Sequence, residues 1–171
     1  VSAAKQRLKA AGGKALANST RVLEASDVVL VSVATSAALA QVAEQLCQAP
    51  KRPAGQRALV VETSTLPIED KQAFAAAMKR AGLDVMDCPI SGTAVRMKDR
   101  AWTMFASGSK AAYKRVEPVL RVFTDNVPYV GAYGNGSKMK FAANHLVAIY
   151  NVACAESVSY THLTLPTILL V

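Results

Sequence analysis

The sequence is poor in aromatic residues, which make up only 6% of its 171 residues. Its 51% hydrophobic content comes mostly from Ala, Val and Leu, a mixture that favours helices packed on a buried sheet over an all-β sandwich. The same content argues against intrinsic disorder. No uninterrupted apolar run is long enough to span a bilayer, and the first residues contain no apolar stretch typical of a secretory signal. We therefore expect a folded α/β chain without a membrane partner.

Cysteine is also sparse, and Cys47, Cys88 and Cys154 form neither a paired spacing nor a metal-ligand cluster. An odd, scattered set fits a reducing compartment, so we expect a cytoplasmic protein without a metal site. The formal net charge is +8, but the sequence has no run of five like charges and no aromatics interleaved with its basic residues. We therefore expect anionic small molecules, and not nucleic acid, as partners.

Segments with strand and helix patterns alternate along the chain. A continuous β-branched run at 27–33 predicts a strand buried on both faces. Further strands are predicted at 58–61, 83–86, 102–106 and 127–130, with a short extended piece at 14–17. Helices are predicted at 3–11, 36–48, 67–81 and 110–123, and from 136 to at least 156. This order predicts an α/β fold with a doubly wound parallel sheet, followed by a long helix.

The last fourteen residues, 158–171, interrupt this pattern. They carry no charged side chain and are dense in Thr and Leu. We expect a non-native tail here, and we give its His162 no functional role. The alternative is a genuine tail with strand propensity.

Three loops follow predicted strands, at the positions where ligands bind in open α/β sheets. The first contains Val33 and Ala34, the second contains Thr65, and the third contains the segment 91–93, which reads Ser-Gly-Thr. Backbone N–H groups of this third loop could form a nest for a carboxylate. The alternative is structural, because Ser, Thr and Gly are common turn formers.

A glycine-rich segment, 134–140, opens the long helix. Glycines at a helix start let an anion approach free N–H groups and the positive end of the helix dipole. Lys140 and Asn144 lie four residues apart, so their side chains point the same way. Apolar residues between them predict a partly buried helix, where desolvation would lower the lysine pKa and suit it to proton transfer. The alternative is a solvated lysine on an ordinary helix.

Taken in order, the segments ETSTLP, DCPISGT and GNGSKMKFAANH resemble motifs of the β-hydroxyacid dehydrogenase family, which includes 3-hydroxyisobutyrate dehydrogenase and tartronate semialdehyde reductase. The family patterns are D-x-S-T, D-A-P-V-S-G-G and G-x-G-x-x-x-K-x-x-N-N. The resemblance extends from about residue 1 to Ser157. It implies a partial, Rossmann-type dinucleotide-binding domain over 1–132 and the start of an inter-domain helix over 133–157.

The resemblance also implies an activity and its residues. It implies an oxidoreductase that transfers hydride between NAD or NADP and a short 3-hydroxy acid or semialdehyde, and whose full-length form is a homo-oligomer. Lys140 corresponds to the general acid/base of the family. The substrate-binding positions correspond to Ser91, Gly92, Thr93 and Asn144, and the cofactor-binding positions to Val33, Ala34 and Thr65.

Departures from the family pattern leave the substrate open. Thr93 stands where the family has a second glycine, and Ala34 stands where it has proline. The loop 96–100 is unusually basic, which indicates either a solvated loop or a substrate with an additional anionic group. An imine-reducing relative is a second interpretation, against which Lys140 and Asn144 argue. A third is a non-catalytic basic binding module that keeps the fold.

Two parts of the family pattern do not occur in this sequence. The family starts with a strand and a G-x-G-x-x-G turn that receives the pyrophosphate, and it ends with a helical domain that closes the active site. The sequence begins at Val1, without an initiator methionine, and the G-x-G-x-x-G motif does not occur in it. We therefore expect these 171 residues, expressed alone, to show little or no turnover. Dehydrogenase activity close to that of a full-length relative would contradict this expectation.

Overall fold

The computed structural model describes residues 2–53, 57–93, 95 and 98–168, in which helices and short strands alternate. The helices of this part are α1 (Ser2–Ala10), α2 (Ser19–Glu24), α3 (Ser36–Cys47), α4 (Ile68–Arg80), α5 (Lys110–Phe123) and α6 (Asn135–Ile168). The strands are β1 (Val28–Val31), β2 (Leu59–Glu62), β3 (Asp84–Asp87), β4 (Ile90–Ser91), β5 (Thr103–Met104) and β6 (Ser107–Gly108). The predicted alternation of strands and helices is confirmed.

The main sheet has the order β1-β2-β3-β6. The first three strands are parallel, with Val29 opposite Val60 and Val60 opposite Val85. The predicted parallel sheet is therefore confirmed for these three strands, and β6 adds one antiparallel strand at the edge beside β3. The predicted strand at 102–106 is wrong as a single element. Within it, β5 pairs with β4 in a separate two-stranded sheet, Ala106 forms only an isolated bridge with Tyr129, and β6 begins after it at Ser107.

The remaining differences occur where local signals are weak. The segment 14–17 forms no strand, and the six-residue helix α2 that follows it was not predicted. Asn18 caps α2 by accepting the N–H of Arg21, which is a usual N-terminal signal. The segment 127–130 contributes only an isolated bridge, between Tyr129 and Ala106, where we predicted a strand.

Two apolar clusters cover the two faces of the main sheet. On one face, Val60 of β2 lies in a cluster with Leu39 of α3 and Phe74 of α4. On the other face, Val61 lies in a cluster with Val116 of α5. Leu30 is 40% exposed because β1 lies at the edge of the sheet, so the prediction of a first strand buried on both faces is wrong.

Helix α6 starts inside the domain and then leaves it. Gly136 and Ser137 in its first turn are buried, and Lys140 is half-buried. Beyond them Phe141 is already exposed, so the predicted partial burial holds only for the first turns. The helix continues through 157 to Ile168 without a break. Among the described residues, no helix combines the length and apolar character needed to cross a membrane.

Candidate active site

A buried ion cluster lies beneath the carboxyl ends of β2 and β3. It consists of Lys71 from α4, Glu62 from β2, Asp87 from β3 and Ser137 from α6, and we call it the Lys71 cluster. All four side chains are almost fully buried, with exposures of 0–2%. Buried charges persist in proteins only when they are paired and hydrogen-bonded. The cluster therefore connects α4, β2, β3 and α6 through buried ion pairs and hydrogen bonds.

The Lys71 ammonium has three N–H donors, and three acceptors surround it. Its Nζ lies 2.8 Å from the carbonyl oxygen of Ser64, 2.6 Å from Asp87 Oδ1 and 2.7 Å from Ser137 Oγ. Glu62 Oε2 is also 2.7 Å from Nζ, but this is an ion-pair contact without hydrogen-bond alignment. The other carboxylate oxygen of Glu62 accepts the N–H of Ser64 at 2.7 Å.

Asp87 holds the first turn of α6. Its Oδ2 accepts the backbone N–H of Ser137, and its Oδ1 accepts the Ser137 hydroxyl, both at 2.9 Å. Ser107 adds a bridge, because its hydroxyl accepts the N–H of Gly136 at 2.9 Å and donates to Asp87 Oδ2 at 3.2 Å. A carboxylate at a helix N-terminus is stabilised by free N–H groups and by the helix dipole. The start of α6 is thus fixed from outside the helix.

Gly136 allows this close approach. A Cβ added at this position would lie 2.3 Å from the carbonyl oxygen of Phe105 and 2.9 Å from that of Asp87. Both neighbours are backbone atoms, which cannot rotate away as a flexible side chain would. Any residue larger than glycine would therefore push α6 away from the end of β3.

Lys140 lies one turn beyond this anchored start. It is half-buried, and desolvation lowers the pKa of its amine below the ordinary value. Asn144 follows on the same side of α6 and is exposed, whereas Lys138 is exposed on another side. The direction of the pKa shift agrees with the physical argument made from the sequence. The role of Lys140 in proton transfer stays a prediction.

The predicted substrate loop lies against the same helix, since α6 contacts both β3 and β4. Ser91 ends β4 and is half-buried, while Gly92 and Thr93 are exposed. Gly92 has φ +147°, and a Cβ there would lie 2.6 Å from Cβ of Trp102. The loop thus needs glycine at this position for both conformation and packing, and Thr93 extends its side chain into solvent.

The predicted cofactor residues lie at the carboxyl ends of β1 and β2. Ala34 and Thr65 are exposed, and Val33 is half-buried with its N–H donated to Ser64 Oγ at 2.9 Å. The fold thus gathers the three at one edge of the sheet, the position at which dinucleotides bind in parallel α/β sheets. The nearby carboxylates of Glu62 and Asp87 are buried against Lys71, so they present no negative surface to an anionic dinucleotide. The residues present therefore fit NAD or NADP.

Several other titratable groups are buried or hydrogen-bonded within the fold. Burial, followed by the Asp87 carboxylate, raises the pKa of the Cys88 thiol to about 12, which keeps it neutral and poorly nucleophilic. Burial also raises the pKa of Tyr133 above its ordinary value. Arg100 of the basic loop donates to the carbonyl oxygens of Arg121 and Val122 at the end of α5. Two members of that loop, residues 96 and 97, lie outside the described residues.

No group of three potential metal ligands occurs in the part of the chain that is described.

The sequence interpretation missed the Lys71 cluster. Lysines are usually exposed, and Lys71 follows directly on the acidic residues Glu69 and Asp70 of the first helical turn. A signal was present, because Lys71 falls on the same helical face as Phe74 and Met78, which are both buried. A lysine on the apolar face of a helix requires a buried anion as its partner.

Comparison with known proteins agrees with this arrangement. Residues 1–131 match the family described as the NAD binding domain of 6-phosphogluconate dehydrogenase. The 2-hydroxy-3-oxopropionate reductase of Escherichia coli (strain K12) is 26% identical over 149 residues, which cover 87% of this chain and 51% of that protein. The L-threonate dehydrogenase of Haemophilus influenzae is 32% identical over 157 residues, which cover 90% of this chain and 52% of that protein.

Solved structures show the same fold. A 3-hydroxyisobutyrate dehydrogenase from Mycobacterium tuberculosis superposes with a TM-score of 0.80 at 24% identity, covering 90% of this chain and 52% of that one. A 3-hydroxyisobutyrate dehydrogenase from Salmonella typhimurium gives 0.73 at 29% identity, covering 92% and 55%. The chain therefore spans about half the length of the relatives it matches. By its family match and its relatives, this chain belongs to the β-hydroxyacid dehydrogenase family, and residues 1–131 are the part that matches the NAD-binding domain.

Proposed function

We propose that the full-length product containing this chain transfers hydride between NAD or NADP and a short 3-hydroxy acid or its semialdehyde. One observation supports this most directly. Lys140 is half-buried, and desolvation lowers its pKa. It lies one turn beyond the start of α6, which Asp87 holds in place and which packs against β4, the strand that ends at Ser91 in the predicted substrate loop. An amine so placed can exchange a proton with a substrate held by that loop.

The residues of this chain have distinct parts in the proposed reaction. Ser91, Gly92 and Thr93 would hold the substrate carboxylate, and Asn144 would orient the carbinol group beside Lys140. The neutral Lys140 amine takes the hydroxyl proton during oxidation. In the reverse direction, the ammonium stabilises the developing alkoxide and returns the proton. When bound, the nicotinamide accepts or returns the hydride.

The residues that follow β1 and β2 support the cofactor part of the proposal. Val33, Ala34 and Thr65 would contact NAD or NADP where they line the carboxyl edge of β1 and β2. The relatives include enzymes named for 2-hydroxy-3-oxopropionate and for L-threonate, and these names support a short hydroxy acid as the proposed substrate class. Thr93 stands where the family pattern has glycine, so its exposed side chain would influence the choice within this class.

A substrate screen tests the proposal. The full-length product is incubated with NAD or NADP and a set of short hydroxy acids, including 3-hydroxyisobutyrate, glycerate and L-threonate, and reduced nicotinamide is followed by absorbance. We expect turnover of at least one member. Folded, cofactor-bound protein that oxidises none of them and reduces none of the matching semialdehydes would instead favour a non-catalytic binding module.

The pH dependence follows from the state of Lys140. Oxidation requires the neutral amine, so kcat for oxidation should rise with pH as Lys140 loses its proton. Because desolvation lowers its pKa, the midpoint should fall below the ordinary lysine value of 10.5. Reduction requires the protonated amine and should fall over the same range. Rate profiles between about pH 6 and about pH 10 in both directions measure this. Two flat profiles from an active enzyme would exclude Lys140 as the titrating group.

We also propose a cytoplasmic homo-oligomer for the full-length product. The three free cysteines suit a reducing compartment. Exposed apolar residues along α6, including Leu146, Ile149 and Val152, need a covering surface, from the rest of the chain or from a second copy. Light scattering of the full-length product measures the assembly.

We further propose that residues 158–171 are not native. Resequencing of the gene would decide this.

A further inference from the structure

The Lys71 cluster binds the first turn of α6 directly, and it binds residues next to the predicted cofactor and substrate loops. Lys71 Nζ binds the carbonyl oxygen of Ser64, and Ser64 Oγ in turn accepts the N–H of Val33 in the cofactor loop. Lys71 also binds Asp87, the residue from which the chain leads into the substrate loop. Its third bond is to Ser137, in the first turn of the helix that carries Lys140. One ammonium thus joins the start of α6 to Ser64, which binds the cofactor loop, and to the end of β3, which leads into the substrate loop.

Because this cluster is buried, the positions of its charged groups can change little without a large loss of stability. Lys71 is 1% exposed, and neither Glu62 nor Asp87 is exposed at all. Water therefore cannot replace a missing bond at low cost, because an unpaired buried charge is strongly destabilising. The formal charges are one positive and two negative, and the excess negative charge at Asp87 faces the N-terminus of α6.

We infer that Lys71 is a positioning residue of the active site. Its ammonium keeps the cofactor loop, the substrate loop and the first turn of α6 in a fixed position relative to one another. This arrangement places Lys140 beside the substrate hydroxyl. This inference rests on the proposed function. Lys71 acts through Ser64, Asp87 and Ser137, and its burial keeps it from touching substrate or cofactor itself.

Three variants of the full-length product separate positioning from simple charge balance. Lys71→Met removes the ammonium and leaves both carboxylates. Lys71→Met combined with Glu62→Gln restores the original excess of one negative charge but none of the ammonium's hydrogen bonds. Lys79→Met changes an exposed lysine of the same helix and serves as the matched control. The readouts are melting temperature, kcat, KM, cofactor Kd and amide hydrogen exchange at Ser64 and Ser137.

The single variant should lose about 5–10 °C in melting temperature, because it leaves two buried carboxylates without their shared cation. The double variant should recover most of that loss. Its kcat should nevertheless stay about 100-fold below wild type, since small misplacements of reacting groups have effects of this size. Amide exchange at Ser64 and Ser137 should be at least about 10-fold faster than in wild type, with or without cofactor. The Lys79 variant should match wild type in every readout.

The outcomes distinguish the inference from the proposed function. A double variant with wild-type kcat and wild-type amide exchange overturns the positioning role, and leaves charge balance as the whole function of Lys71. Where the single variant does not fold, the double variant decides. A wild-type product without turnover overturns the proposed function instead. In that case the exchange rates still show whether Lys71 holds the three segments together.

Discussion

Replacing Lys140 with alanine in the full-length product is expected to lower kcat in both directions by about 10²- to 10⁴-fold, the usual contribution of a general acid/base. The structural reason is specific to this position. The start of α6 is fixed by Asp87 and Ser107, and Lys140 lies one turn further along, partly withdrawn from water. Stopped-flow or steady-state nicotinamide absorbance measures the rates, and titration of cofactor fluorescence measures binding. Cofactor Kd should change little, because Lys140 acts on the proton of the substrate.

Two further variants sharpen this result. Lys138→Ala removes an exposed lysine two residues earlier on the same helix and should leave kcat unchanged, which excludes a general effect of surface charge. Lys140→Arg keeps the positive charge but cannot release a proton in the working pH range, so it should be nearly as inactive as alanine. If Lys140→Ala retained wild-type turnover with every tested hydroxy acid, the proposed proton transfer would be wrong.

The second large effect is expected from Gly136→Ala. The added methyl group would lie 2.3 Å from the carbonyl oxygen of Phe105, so the first turn of α6 must move away from the end of β3. This overpacking should lower the free energy of unfolding by about 1–3 kcal/mol. It should also lower kcat by about 100-fold, because Lys140 moves with the helix. Chemical denaturation and steady-state kinetics measure the two effects.

Gly82→Ala is the matched control for this substitution. Gly82 lies in the turn after α4 with φ +77°, and a Cβ there would meet no atom within 4 Å. Its replacement should cost about 1–2 kcal/mol through backbone conformation alone, and kcat should stay at the wild-type level. Equal losses of kcat in the two variants would show that the effect follows stability and not the position of α6.

The sequence predicted much of the fold because its signals are local. Helices α4 and α5 were predicted within a residue or two, since the glycine stop at Gly82 and the amphipathic pattern of 110–123 depend only on neighbouring residues. The strands at 102–106 and 127–130 were predicted poorly. Their pairing depends on partners distant in the chain, such as β4 for β5 and Tyr129 for Ala106, and short two-residue strands have no periodicity to detect.

The candidate site divides in the same way. Ordered motifs led to Ser91, Gly92, Thr93, Lys140 and Asn144, and the fold places β4 against α6, where these residues can cooperate. The motifs gave no indication of Lys71, although its ammonium binds Ser64, Asp87 and Ser137. Its three hydrogen-bond partners lie 7, 16 and 66 residues away along the chain.

By itself, the sequence determined the family, the alternation of strands and helices, and the chemical type of each residue at the strand ends. It did so because propensity, periodicity and motif order are properties of neighbouring residues. Only the tertiary structure decided which lysine is buried and which is half-exposed. Burial depends on how α4, β3 and α6 pack together, and that packing brings two carboxylates and a serine hydroxyl around Lys71 while leaving Lys140 near the surface with a lowered pKa.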